Sequence, residues 1–294
     1  MRALVARWQG HWFSPAPLAN LGVGRIILAL VMLLLGTQRF TRVGRAPEQM
    51  WDPVEALVIL GVDKPDAAAV YWLSWLTIAL LVLVGIGLFT RAALACLAPL
   101  LFLIDALVMS FGKTSHATIP VLWAFLFFAM APCDRRLSLD AAIRRARGKE
   151  AGPDDSPYAR WPTELLYVVL SAFYLSAALS KLRVSGFRWV DGYTLQYHLL
   201  DKQIPLGLEF ARYPWVCAVA STMVVLWQLA FPLGLMRPLR PLLLAGGLVF
   251  HFSTGLLMGI WFWPVPCLYL LFVPWTKLWK QAQTQNRIRA TDGI

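Results

Sequence analysis

The residues best suited to proton chemistry sit in the stretch "AALSKLRVSGFRWVDGY" (177–193), where a long apolar run meets the amine of Lys181. On a helix, Lys181 shares a face with Ala178, Ala177 and Tyr174, so two small side chains leave room beside the amine and a phenol lies two turns deeper. Burial disfavours the charged form of a lysine, and a desolvated amine can act as a general base near neutral pH. The bland alternative is a span-ending lysine that snorkels to the headgroups. His116, in "SFGKTSHATIP", opens the next candidate group, since imidazole exchanges a proton near neutral pH. An interfacial loop histidine is the plainer reading there. His251 lies mid-span in "LVFHFSTGLLMGIWFWP" with Ser253 and Thr254 close by, a place for a ligand contact or an interhelical hydrogen bond. Asp105 is an acid deep in an apolar run and needs a cation or a donor; Arg25 and His251 are the partners the sequence offers. Gln228, in "VVLWQLAFP", adds a weaker buried polar group.

Helices in a bilayer must position these groups. Of 294 residues, 59% are hydrophobic and 15% charged, against about a quarter charged in soluble domains. The fold class expected is all-α: a polytopic membrane bundle of about eight transmembrane helices with short interfacial helices. The expected spans are 18–38, 70–89, 92–111, 117–133, 162–181, 215–235, 241–260 and 262–279. The fourth is short. Residues 46–66 suggest an interfacial helix, and 134–161 starts as a basic helical piece that loosens at "GPDDSP". One transmembrane domain over 1–294 is expected, without internal repeat or soluble module.

The net charge of +11 fits lipid headgroups and the positive-inside rule rather than nucleic acid. With the N-terminus cytoplasmic, 16 Lys and Arg fall inside and 10 outside. Both termini are therefore expected in the cytoplasm, with Lys181 and His116 on the outer face of a bacterial inner membrane. The N-terminus "MRALVARWQGHWFSP" is too polar for the core of a signal peptide. Four scattered cysteines lack metal or disulfide spacing, so no metal is expected. The tryptophans of "WQGHWF" and "GIWFWP" read as interface anchors. No nucleotide-binding, zinc-protease or serine-hydrolase motif stands in a credible context.

The order of these pieces resembles a known family. "YLSAALSKLRVSGFRWVDGYTLQY" is similar to the segment around the proposed base lysine of vitamin K-dependent gamma-glutamyl carboxylase and of bacterial proteins sharing its membrane domain, the horizontally transferred transmembrane (HTTM) family. The shared pattern is an aromatic and small-residue helix, a lysine, a polar gap, then Trp189, Gly192 and Tyr193. "FGKTSHATIPVLWAFLFFAMAPCDRRLSLDA" resembles a second signature, "FHFSTGLLMGIWFWPVPCL" a third, and "LGVGRIILAL" the opening arginine helix. The resemblance implies Lys181 as a base acting on a reduced quinone, vitamin K hydroquinone or menaquinol, and His116 as its proton or charge partner. Tyr174, His251, Asp105 and Trp189 are the residues expected to contact the cofactor. O2 and CO2 would be co-substrates of a carboxylase of this kind, whose quinone leaves as its epoxide.

Two departures qualify this. The chain ends soon after its last expected span, without the large lumenal region by which the carboxylase grips its substrates' propeptides. Some family members carry an acid where Gln228 aligns. Rival readings are a non-catalytic membrane factor that matures or exports a secreted peptide, and a lipid- or solute-binding transporter with Asp105 and His251 along its path.

Overall fold

A computed structural model describes residues 1–36, 43–112, 117–150 and 152–292, with side chains placed outside 2–4 and 286–292. Fourteen α-helices are found among these residues, joined by short turns and one two-stranded antiparallel bridge. They are α1 (Arg2–Phe13), α2 (Leu18–Val31), α3 (Glu55–Ile59), α4 (Ala67–Ile86), α5 (Thr90–Met109), α6 (Ile119–Met130) and α7 (Leu139–Ala146). The second half holds α8 (Trp161–Ser185), α9 (Tyr193–Lys202), α10 (Pro205–Ala211), α11 (Pro214–Ala230), α12 (Arg240–Met258), α13 (Pro264–Leu268) and α14 (Trp275–Asp292).

Six segments among the described residues are long and apolar enough to cross a membrane: Leu18–Gly36, Ala67–Ile86, Thr90–Met109, Pro157–Trp189, Pro214–Leu235 and Arg237–Met258. The all-helical polytopic class is thus as expected, and these six match expected spans. The other two expected spans take different forms. Helix α6 has 12 residues, a length of about 18 Å against a hydrocarbon core of about 30 Å. It starts at Ile119-Pro120 and stops before Pro132, because proline fits a first turn and blocks continuation. The stretch 262–279 breaks into the five-residue α13, a 3₁₀ turn at Tyr269–Phe272, and the start of the polar α14. Pro264, Pro266 and Pro274 bracket those pieces.

The chain divides into two compact units, 1–163 with 267–294, and 164–266. In the first, α2 packs on α4, α4 on α5 and α5 on α6. Arg25 of α2 is fully buried and donates to the carbonyls of Cys133 (2.8 Å) and Leu137 (2.5 Å). The segment it grips clamps the α4–α5 turn: Asp140 accepts from the backbone N–H of Phe89 (2.9 Å) and Thr90 (2.8 Å) and from the Thr90 hydroxyl (2.7 Å). Partial burial pushes the Asp140 carboxyl up, but those three bonds and the nearby Arg144 outweigh it and hold it below its ordinary value. Gly87 makes the turn at φ 75, where a Cβ would overlap Ser138 and come within 2.9 Å of the Arg25 guanidinium carbon. Residues 48–62 fold over the end of α5. Leu57 is buried with Val43, Val70 and Leu107, and Ser110 bonds the backbone of Asp52 and Val54. The expected interfacial helix in 46–66 is α3, and the basic helical piece is α7.

In the second unit, α9 and α10 pack with each other and with α11 and α12. Their core is Leu199, Ala211 and Cys217. Gln196 donates to the carbonyl of Ala211 at 2.8 Å, and Gly192, at φ 87, lies where a Cβ would run into the backbone of Ala218.

Candidate functional site

The second unit gathers four of the expected residues, Lys181, Tyr174, His251 and Trp189, and joins Gln228 to them. Helix α8 continues past Lys181 to Ser185 and then into a 3₁₀ turn, Gly186–Trp189. Lys181 is therefore not the end of its helix, which runs four residues beyond the expected span edge. Nothing between 182 and 185 breaks the helix; Gly186, at φ 56, does.

The amine of Lys181 is half-buried and turned to the protein. It donates to the carbonyl of Ala177 at 3.3 Å and to Gln228 Oε1 at 3.2 Å, and lies 5.2 Å from the ring centre of Trp189. No carboxylate among the described residues pairs with it. Its surroundings are thus neutral acceptors and an aromatic face. Gln228 is itself buried, on α11.

Two turns earlier on α8, a rise of about 10 Å, Tyr174 is 1% exposed. Its hydroxyl and His251 Nε2 are 2.7 Å apart. Tyr174 packs between Trp227 (centroids 4.7 Å) and Phe231 (4.5 Å), and Trp227 is fixed by donating to the carbonyl of Leu243 at 2.9 Å. Beside His251 a cavity of about 10 Å³ is lined by Trp261, Phe262 and Trp263, room for about one water. The interhelical hydrogen bond, one of the two readings open for His251, is present.

A further two turns back, Tyr167 donates to the carbonyl of Phe231 at 3.0 Å and carries the Arg240 guanidinium over its ring at 4.5 Å. Arg240 and Arg237 pair with the buried Glu164, at 2.6 Å and 3.1 Å. Sequence reading passed over this acid. The available signal was Glu164 in the first turn of its span, with Arg237 and Arg240 bounding another on the same expected side. Seven-residue spacing puts Tyr167, Tyr174 and Lys181 on one face of α8.

Asp105 lies in the first unit. It accepts from the Thr118 hydroxyl at 2.8 Å. Arg25 does not serve as its partner; that guanidinium turns its two terminal nitrogens to the carbonyls of Cys133 and Leu137. His116 lies outside the described residues. The arginine helix and the "LSLDA" ending are thus two halves of one structural clamp. Among the described residues no group of three or more His, Cys, Asp and Glu side chains could hold a metal ion.

Spanning helices, short connections and a half-buried amine among neutral groups define a polytopic membrane protein with a polar site inside a helical unit. The profile of the HTTM domain matches residues 13–279, and the chain belongs to that family, which is associated with carboxylases. No curated protein and no solved structure matches it significantly.

Proposed function

We propose that the chain is a quinone-linked modifying enzyme of the membrane, with Lys181 as its base. The observation that carries this is the Lys181 amine, half-buried, without a carboxylate partner among the described residues, and held by an amide oxygen and a backbone carbonyl. An ion-paired or solvated lysine keeps its proton, whereas one among neutral acceptors can release it. The residues present suit a reduced quinone: a flat aromatic ring finds Trp189, and its hydroxyl finds an amine and an amide.

When bound, the quinol would be oxidised by O2 towards its epoxide, and that oxidation would supply a base strong enough to remove a glutamate γ-proton, after which CO2 would add to the carbanion. In this reading Lys181 takes a proton from the ligand hydroxyl. Gln228 aims the amine, and Trp189 covers one side of it. Tyr174 and His251 form a rigid second pair deeper in the unit, fixing α8 against α12 and orienting the helix that carries the base. His116 retains the partner role its family signature implies. The proposed setting is a bacterial inner membrane, with both termini cytoplasmic and Lys181 toward the outer face. A secreted peptide or protein is the proposed acceptor.

The test is quinone turnover in membranes supplied with reduced menaquinone or vitamin K hydroquinone and O2. Lys181→Ala should lose turnover, and His116→Ala should lower it. Equal turnover in the wild type and both variants would remove the catalytic role. A wild type that turns over no quinone would favour a non-catalytic membrane factor.

A further inference from the structure

A second site lies in the first unit. A hollow of about 360 Å³ is lined by Arg91, Arg135, Ser156, Tyr158, Trp161 and Met130 among others, and no carboxylate lines it. We propose that it binds the phosphoester headgroup of one anionic phospholipid.

The charge balance selects an anion. Arg135 is exposed and its side chain makes no hydrogen bond or ion pair among the described residues. Among the described residues Arg91 reaches only Asp134, at 3.3 Å, and Asp134 is already taken by Arg144, at 3.1 Å. Of the two arginines that line the hollow, Arg135 is therefore left without a counter-ion and Arg91 with only a share of one. The next arginine shows the contrast. Arg136 is engaged by Asp154 (2.9 Å) and by the carbonyls of Gly152 (2.8 Å) and Pro153 (3.0 Å). It therefore fixes the rim of the hollow rather than offering a charge to it. Planar guanidinium groups suit phosphate oxygens, which accept from them in pairs.

The apolar side selects a lipid over a free anion. Met130 is 71% exposed and Tyr158 61%. The Trp161 ring backs the hollow against Phe127, with centroids 6.4 Å apart. Leu139 and Ile143 of α7 lie one turn apart and are exposed too. Arginines beside outward apolar and aromatic side chains make an interfacial pattern, with charge for the headgroup and apolar surface for the first methylenes. Inorganic phosphate would use only the arginines. The same segment supplies most of the cytoplasmic excess of basic residues in the charge count, so the anionic leaflet is the one it would meet.

The experiment uses the full chain, purified in an uncharged detergent. Short-chain phosphatidylglycerol, phosphatidylcholine or inorganic phosphate is titrated in, with bound lipid counted by native mass spectrometry and thermal unfolding read in parallel. One phosphatidylglycerol should bind, phosphatidylcholine and phosphate should not, and Arg135→Ala and Arg91→Gln should each weaken binding about fivefold. Arg147→Ala, an equal loss of charge on an exposed residue outside the lining, should leave binding unchanged. The replaced side chains are exposed and lightly bonded, so lipid-free melting should match the wild type. Three results overturn the proposal: equal binding of phosphatidylcholine, equal losses in Arg147→Ala and Arg135→Ala, or a shift with phosphate alone as large as with phosphatidylglycerol.

Discussion

Lys181→Met should leave the stability of the protein nearly unchanged, whereas Glu164→Gln in the same unit should be severely damaging. The Lys181 hydrogen bonds, at 3.3 and 3.2 Å, are at or beyond the long end of the usual range. At that length each is worth about 0.5–1.5 kcal/mol net rather than the about 1.5–3 of a short bond from a charged group, and the ring of Trp189 adds about 0.5–1 kcal/mol. Removing the amine thus forfeits about 1.5–4 kcal/mol of attraction. It also ends the cost of keeping an uncompensated ammonium half out of water, about 2–3 kcal/mol if a fully buried ion costs several. The two nearly cancel, leaving a change within about 2 kcal/mol of zero. Glu164 differs because Arg240 and Arg237 both depend on it, at 2.6 and 3.1 Å. Stripping the counter-ion from a buried pair costs about 3–5 kcal/mol. Reversible unfolding in detergent, followed by tryptophan fluorescence, measures both variants. If Lys181→Met loses as much as Glu164→Gln, the amine has a counter-ion and is a structural cation. The reasoning that makes it a base then fails.

Two other perturbations probe the first unit. Arg25→Met keeps the bulk of the side chain but leaves the carbonyls of Cys133 and Leu137 without their donor. A loss of about 2–6 kcal/mol is expected from two buried carbonyls left without a donor, at about 1–3 kcal/mol each, less what is regained by no longer burying the charge; proteolysis within 134–160 should quicken in step, and an unchanged cleavage rate would count against the clamp. Asp140→Asn should cost about 1 kcal/mol at neutral pH, as for a lost helix cap. The wild-type carboxyl is held below its ordinary value, so its contribution is complete above about pH 4 and disappears as pH falls through the lower folded value. Melting curves from pH 7 to pH 3 should therefore show the gap between wild type and variant closing at the acid end; a constant gap would contradict the assigned bonds.

Membrane class, helical fold and most span positions are legible in the sequence because apolar runs of bilayer length need no tertiary partner to be recognised. The exceptions, α6 and the stretch after Pro264, are where hydropathy is high but proline sets the helix length. Lys181 was legible as an amine in an apolar setting. Its environment was not: a composition cannot say that Gln228, 47 positions away, supplies an amide oxygen rather than an acid. Nor could it pair Tyr174 with His251, 77 positions apart, because hydrogen-bond partners across helices follow from helix rotation and crossing.

Arg25 marks the same division. By itself the sequence determined that a charge in the first apolar helix had to be answered, since hydrocarbon leaves no water to do it. Only the folded chain decided that the answer would be two backbone carbonyls at 133 and 137 instead of Asp105. A guanidinium can be satisfied by any acceptors brought into its plane, and which acceptors arrive is fixed by how the helices pack.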